Sequence, residues 1–313
     1  MSVKPRAVFF GTPDFSVPAL KAVAGLAEVV LVFSQPDRVV GRGRKLKPTA
    51  VRKTAEVLGL PVRQPERLRD EHVVAALKDA KADFFFTIAY GKLLSEEILD
   101  IPPKGCLNLH ASLLPWYRGS APIQWAVMNG EKTTGLSLML MDTGMDTGPV
   151  LASLEIEIMP GETAGALHDR MSGLAAQFIG RELPRYLRGE IDPVLQDDAQ
   201  TTLAPMLKKA DGQIDWDRPA QAVVSRILGL NPWPMAFCNA EDKTLRIALA
   251  EVAEDIPEAL RDAEPGRILC ENDRLFIKCG SGAIRVLECQ AEGRKSMQAD
   301  CFMRGSVLPE KVD

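Results

Sequence analysis

Apolar residues recur along this chain in two rhythms. Up to about residue 190, short uninterrupted apolar runs alternate with stretches of helical period. AVFFG (Ala7–Gly11), EVVLVFS (Glu28–Ser34) and DFFFTIAY (Asp83–Tyr90) are continuous, as strands buried on both faces require. CLNLH (Cys106–His110) and GLSLMLM (Gly135–Met141) extend the series. Between them VPALKAVAGLA, TAVRKTAEVLG and DEHVVAALKDA carry helical patterns, the second ending at Gly59. This alternation predicts an α/β domain with a Rossmann-like, mostly parallel sheet. In such sheets ligands bind at the carboxyl ends of the strands, where Asn108 and His110 fall. A long helix is predicted from Thr163 to Leu187, opened by Thr163 and closed by Gly189 and Pro193.

The rhythm then changes. Residues 189–210 lack a regular pattern and read as a linker. A short helix near Ala220–Leu228 precedes NPWP (Asn231–Pro234). Short runs follow, RIALAEV, GRILCEN, RLFIKCG and AIRVLEC, separated by turns. Their spacing predicts a small, OB-like β-barrel. The division is thus a first domain over 1–188, a linker over 189–210 and a barrel domain over 211–313.

Composition narrows the class. The 313 residues are 46% hydrophobic and 26% charged, ordinary for a globular protein. No apolar run approaches the roughly 20 residues that span a bilayer, and the first one is too short for a signal peptide. The six cysteines form no CxxC pair and only three histidines exist, so no metal site is expected. Free thiols in a reducing cytoplasm fit this usage. The net charge of −4 means that any nucleic-acid partner must be caught by a local patch.

The candidate chemistry lies in LNLHASLLPWYRGSAPIQWA (Leu107–Ala126). On a strand, Asn108 and His110 share a face. An imidazole that moves a proton beside an amide that stabilises an oxyanion suits acyl transfer. The other reading is a core histidine satisfied by backbone. The flanking Pro115, Gly119 and Pro122 favour a constrained loop, which brings the two readings level. MDTGMDTGPV (Met141–Val150) sets Asp142 and Asp146 on a tight loop. One carboxylate could orient His110; plain turn residues are the alternative. The spacing lacks the alternating ligands and terminal Glu of an EF-hand.

Together, NLHASLLPWYRGSAPIQWA and DTGMDTGPV resemble the formyltransferases that use 10-formyltetrahydrofolate. The resemblance runs from about residue 6 to residue 305. It implies that the first domain is catalytic, with Asn108, His110 and Asp146 as the catalytic set. It also implies that Ser112, Leu113, Leu114 and Pro115 contact the folate, the formyl donor, with no metal. Gly is frequent in the family where Met235 stands, and Lys where Arg44 or Arg294 stands. These departures leave the catalytic set untouched.

SQPDRVVGRGRKLKPTAVRK (Ser34–Lys53) chooses among the branches of that family. Arg38, Arg42, Arg44, Lys45 and Lys47 crowd one glycine-containing loop. A charge run is ordinarily a solvated face. On an acidic protein such a loop points to phosphates. The segment resembles the insertion loop of the branch that formylates initiator methionyl-tRNA, which implies a tRNA partner gripped by these five cations. The barrel cations Lys243, Arg246, Arg267, Arg274, Lys278 and Arg285 either add to that grip or are scattered surface charge. The rival readings are a sugar-nucleotide formyltransferase and a noncatalytic tRNA-binding relative. The expected setting is a cytoplasmic monomer without membrane contact.

Overall fold

The computed structural model describes residues 4–40, 45–241, 243–305 and 308–313. Strand β1 (Arg6–Gly11) leads through α1 (Val17–Leu26) to β2 (Glu28–Phe33). Two short strands, β3 (Arg38–Val40) and β4 (Lys45–Lys47), precede α2 (Ala50–Val57) and β5 (Val62–Arg63). Next come α3 (Glu71–Asp79), β6 (Phe84–Ile88), α4 (Glu96–Leu99), β7 (Cys106–His110) and β8 (Arg118–Gly119). Helix α5 (Pro122–Met128), β9 (Thr133–Leu140), β10 (Val150–Glu157), α6 (Ala164–Leu187) and β11 (Leu203–Ala204) follow.

The principal sheet has the order β10-β9-β7-β6-β1-β2-β5. Strands β5, β2, β1, β6 and β7 run parallel, and β9 runs antiparallel to β7. This is the mostly parallel α/β arrangement that the alternating runs predict. β6 is buried at all five positions, because both faces of the sheet are covered. On one face Val8, Phe10, Phe33, Leu77, Phe85, Tyr90, Ile98 and Cys106 form a continuous core. Phe10 and Phe33 stack there with ring centroids 4.9 Å apart. Each such buried phenyl ring contributes about 1.5–3 kcal/mol of transfer free energy. Thr163 caps α6 by accepting from Ala166 N–H at 3.1 Å.

The chain divides into two compact units. The first holds Met1–Pro122, Gly135–Ile156 and His168–Ala204, and the second holds Ile123–Thr134, Glu157–Leu167 and Pro205–Asp313. Residues 189–204, within the stretch that reads as a linker, therefore belong to the first unit. They hold β11, which pairs in parallel with β8.

In the second unit α7 (Ala220–Leu230) precedes β12 (Ala236–Ala240) and β13 (Lys243–Val252). Helix α8 (Glu258–Arg261), β14 (Ile268–Glu271), β15 (Arg274–Lys278), β16 (Ala283–Ala291), β17 (Met297–Gln298) and α9 (Ala299–Arg304) complete it. The strands that the short runs predict are present. They form an antiparallel sheet ordered β12-β13-β16-β15-β14, with β17 on the β16 edge. Helix α7 packs against β13 and β16. Among the described residues no helix is long and apolar enough to cross a membrane.

All six cysteines are free. Burial pushes the thiols of Cys106, Cys238, Cys279 and Cys289 up to about 12. A raised thiol pKa keeps the unreactive protonated form at pH 8. The disulfide reagent DTNB at pH 8 is therefore expected to consume only Cys270 and Cys301, the exposed pair, in the native protein. After denaturation it should consume all six. Prompt native reaction of a third thiol would contradict this burial.

Candidate active site

Strand β7 delivers Asn108 and His110 to the carboxyl end of the parallel strands. Their spacing of two turns both toward the same face. His110 is 6% exposed. Its Nε2 lies 2.9 Å from the Tyr117 carbonyl oxygen. A carbonyl only accepts, so Nε2 carries a hydrogen and donates it. That bond fixes the ring, and its Nδ1 faces Asp146 Oδ2 at 3.6 Å.

Asp146 is the hub of the cluster. Its Oδ2 accepts from Gly119 N–H at 3.0 Å, and its Oδ1 from Asn108 Nδ2 at 3.4 Å. The latter bond is long, and the Asn108 amide keeps a second hydrogen for a ligand. Asp146 itself has φ 55°, left-handed backbone that costs a residue with a Cβ about 1–3 kcal/mol. Such a conformation persists only where the surroundings over-determine it.

The structure separates the two tandem aspartates that the sequence alone left open. Asp142 Oδ1 accepts from Gly144 N–H at 3.0 Å and from Thr147 Oγ1 at 2.6 Å. It is engaged in bracing its own loop, and Asp146 turns to His110. Gly148 closes that loop; a Cβ there would sit 2.0 Å from the Leu140 carbonyl oxygen.

Residues Ser112–Pro115 lead out of β7 through a cis Leu114–Pro115 bond. Ser112 Oγ donates to Trp116 O at 2.6 Å, and Leu114 N–H donates to Ser137 Oγ at 3.0 Å. Both groups thus hold the loop itself. Leu113 and Pro115 stay partly exposed, and Trp116 is exposed. Thr87 of β6 pairs in register with Asn108, and its buried hydroxyl has no partner among the described residues. It went unnoticed in the apolar run around it.

A second missed group comes from the patternless stretch. Thr202 Oγ1 accepts from Tyr117 N–H at 2.8 Å, and Thr202 O accepts from Arg118 N–H at 2.9 Å. Gln196 reaches the Asp146 loop itself. Their only sequence signal is indirect, since a tight loop carrying strained residues needs outside support.

The basic loop folds in part as a hairpin. Strands β3 and β4 pair Arg38 with Lys47 and Val39 with Leu46. Arg38, Val39, Leu46 and Lys47 are exposed. Like charges directly opposed across two strands repel unless an anion meets both. Val40 and Lys45 pair at the tip. Arg42 and Arg44 lie outside the described residues. The hairpin is rooted firmly: Asp37 accepts from Arg52 Nη1 at 2.6 Å and from Gln64 Nε2 at 2.7 Å. Gln35, two residues earlier, donates to Tyr90 O at 3.1 Å. The hairpin therefore rises from the strand ends that carry the candidate catalytic cluster.

Several cations of the antiparallel sheet are already engaged. Arg285 pairs with Glu251 and Arg267 with Glu310, both at 2.6 Å. Lys278 is buried and donates to Arg261 O.

Comparison with known proteins decides the family. Residues 6–183 match the formyl transferase family, and residues 206–307 match formyl transferase, C-terminal domain. A methionyl-tRNA formyltransferase of Citrifermentans bemidjiense is 42% identical over 97% of this chain and 94% of the relative. One of Desulfotalea psychrophila is 44% identical over 97% of this chain and 93% of the relative. The chain belongs to the methionyl-tRNA formyltransferase family. Among solved structures, the N-formyltransferase of Helicobacter canadensis superposes with a TM-score of 0.67 at 14% identity, covering 93% of this chain and 100% of that one. HypX of Aquifex aeolicus, solved with tetrahydrofolic acid, gives 0.62 at 15% identity, covering 96% and 47%. At these identities the likeness concerns the fold.

In this formyltransferase Gly119 has φ 125°, and a Cβ on it would lie 2.6 Å from Ala204 O. Gly119→Ala must shift the N–H that holds Asp146. It is expected to lower turnover by at least tenfold, of the order that misplacing a reacting group costs. Circular dichroism should show the fold intact. Wild-type turnover in Gly119→Ala would mean that this N–H does not hold the carboxylate where it matters.

Proposed function

We propose that the protein transfers the formyl group of 10-formyltetrahydrofolate to the α-amino group of initiator methionyl-tRNA. The observation that carries this reading is the convergence of Asn108, His110 and Asp146 at the end of β7. Membership of the family supplies the donor and acceptor classes. The proposed working form is a cytoplasmic monomer with a catalytic domain over 1–188, a linker over 189–210 whose residues 189–204 pack into the first unit, and a C-terminal barrel domain over 211–313.

The reaction needs a neutral amine, and a free α-amine with pKa near 7.7–8.0 is substantially protonated at neutral pH. Its nitrogen attacks the formyl carbon, forming a C–N bond and moving the carbonyl electron pair onto oxygen. The free hydrogen of the Asn108 amide donates to that oxyanion. The attacking nitrogen loses its proton through His110 Nδ1, since Nε2 is held by the Tyr117 carbonyl. Asp146, opposite Nδ1, offsets the charge of the imidazolium that forms and accepts from its Nδ1. The pair then returns to re-form the carbonyl, the bond to the folate nitrogen breaks, and that nitrogen takes up a proton. One proton leaves the amine and one reaches the folate, so the step balances without a covalent enzyme intermediate.

For the folate, Ser112–Pro115 is the proposed contact. Because the Ser112 hydroxyl and the Leu114 N–H serve the loop, contact falls to Leu113, Pro115 and neighbouring backbone. For the tRNA, Arg38, Arg42, Arg44, Lys45 and Lys47 are proposed to meet phosphates, relieving the repulsion between Arg38 and Lys47.

Incubation with 10-formyltetrahydrofolate and charged initiator tRNA is expected to yield formylmethionine. Formylation of a 4-amino sugar nucleotide instead would reassign the acceptor. Asn108→Ala should lower turnover by roughly 10²–10³, and Asp146→Asn by a similar factor. Full single-turnover activity in either variant would remove its assigned role. Replacing Arg38 and Lys47 by Ala should weaken tRNA use and flatten its salt dependence by about one unit of slope per charge. Folate affinity should be untouched. An unaltered slope would exclude phosphate contact by these two side chains.

A further inference from the structure

Asp146 holds a strained backbone conformation, and its own loop does not explain why that conformation persists. The support comes from outside. The Gln196 carboxamide nitrogen donates to Asp146 O at 2.9 Å and to Gly148 O at 2.6 Å. One side chain thus fixes the carbonyls on both sides of the turn. Its Oε1 accepts from Arg118 Nε at 3.0 Å and Nη2 at 2.8 Å. Arg118 is buried, and it also pairs with Asp198 Oδ1 at 2.9 Å.

Arg118 also belongs to the segment that holds the other two groups. Tyr117 O accepts from His110, and Gly119 N–H donates to Asp146. Residues 196–202 therefore brace the cluster twice, at 117–118 through Thr202 and at 146–148 through Gln196. A carboxamide is the group this position needs. Its N–H₂ faces two acceptors, and its oxygen faces a guanidinium.

We propose that Gln196 is a positioning residue for Asp146, aligned by Arg118, and that the Asp146 carboxylate keeps its aim at His110 through this bridge. The inference rests on the catalytic reading of Asp146 given above. Gln196 touches no reacting atom, so its removal acts on kcat and leaves substrate binding alone.

Three variants of the full chain test it. Gln196→Met keeps the volume and removes every hydrogen bond. It should lower kcat by roughly 10- to 100-fold, as misplacing a reacting group does. KM for folate and for tRNA should stay within about twofold, since neither substrate loses a direct contact. Gln196→Glu keeps the acceptor for Arg118 and strengthens that pair, but it sets an anion against two carbonyls. A role confined to holding Arg118 tolerates Glu; positioning the loop does not, so kcat should fall as far as in Gln196→Met. In an Asp146→Asn background Gln196→Met should cost little more, because it acts through that carboxylate.

Wild-type kcat in Gln196→Glu would overturn the proposal, as would an undiminished loss in the Asp146→Asn background. Full activity of Asp146→Asn alone is a different failure, and it removes the catalytic reading beneath. If Gln196→Met fails to fold, Gln196→Glu and its double variant still decide.

Discussion

One carboxylate organises this active site. Asp146 meets a backbone N–H, an amide and an imidazole, each contributed by a different part of the chain or a different position on it. An isolated anion costs free energy, and here two donors, the Gly119 N–H and the Asn108 amide, offset that cost, with the His110 ring joining them when it is protonated. The backbone of Asp146 lies in the left-handed region, with Gln196 bonded to the carbonyls of Asp146 and Gly148. Strain and function are thus coupled: the turn that is hardest to hold is the one that must be held. Strand β7, the loop to β8 and the close of β9 all serve this one placement.

The second organising constraint is the edge of the sheet. Parallel strands end together, so everything that leaves β1, β2, β6 and β7 emerges on one side. Asn108 and His110, the proposed catalytic pair, emerge from β7 and the basic hairpin from the segment after β2. The links from Asp37 to Gln64 and from Gln35 to Tyr90 tie the base of the hairpin to the segments that leave β5 and β6. A cationic arm and a proton-handling cluster are thereby brought to one edge without a dedicated connector. The long acceptor of a formyl transfer to RNA needs both at once.

Much of this was legible from residue order. The continuous runs at 7–11, 28–34 and 83–90 read as buried strands because a strand covered on both faces has no polar alternation to display. Asn108 and His110 were legible as a pair because strand period is short and rigid. Asp146 could not be separated from Asp142 by composition, since both precede Thr-Gly; the resemblance points to the second, and the loop's internal bonds engage Asp142. Gln196 was invisible. Its partners are backbone carbonyls 48 and 50 residues away, which leave no trace in side-chain type. Thr87 was hidden for the opposite reason, as a β-branched residue that suits a buried strand whatever its hydroxyl does.

The brace formed by residues 196–202 also bears on synthesis. A ribosome that has extruded the chain to residue 188 has supplied every proposed catalytic side chain. Gln196 and Thr202 are still missing, and with them the bonds that hold the Tyr117–Gly119 segment and the Asp146 turn. A nascent chain stopped there, or a fragment cut there, has a complete set of chemical groups and an incomplete frame. The frame around the proposed catalytic groups is completed only by a stretch that looks, in print, like mere string.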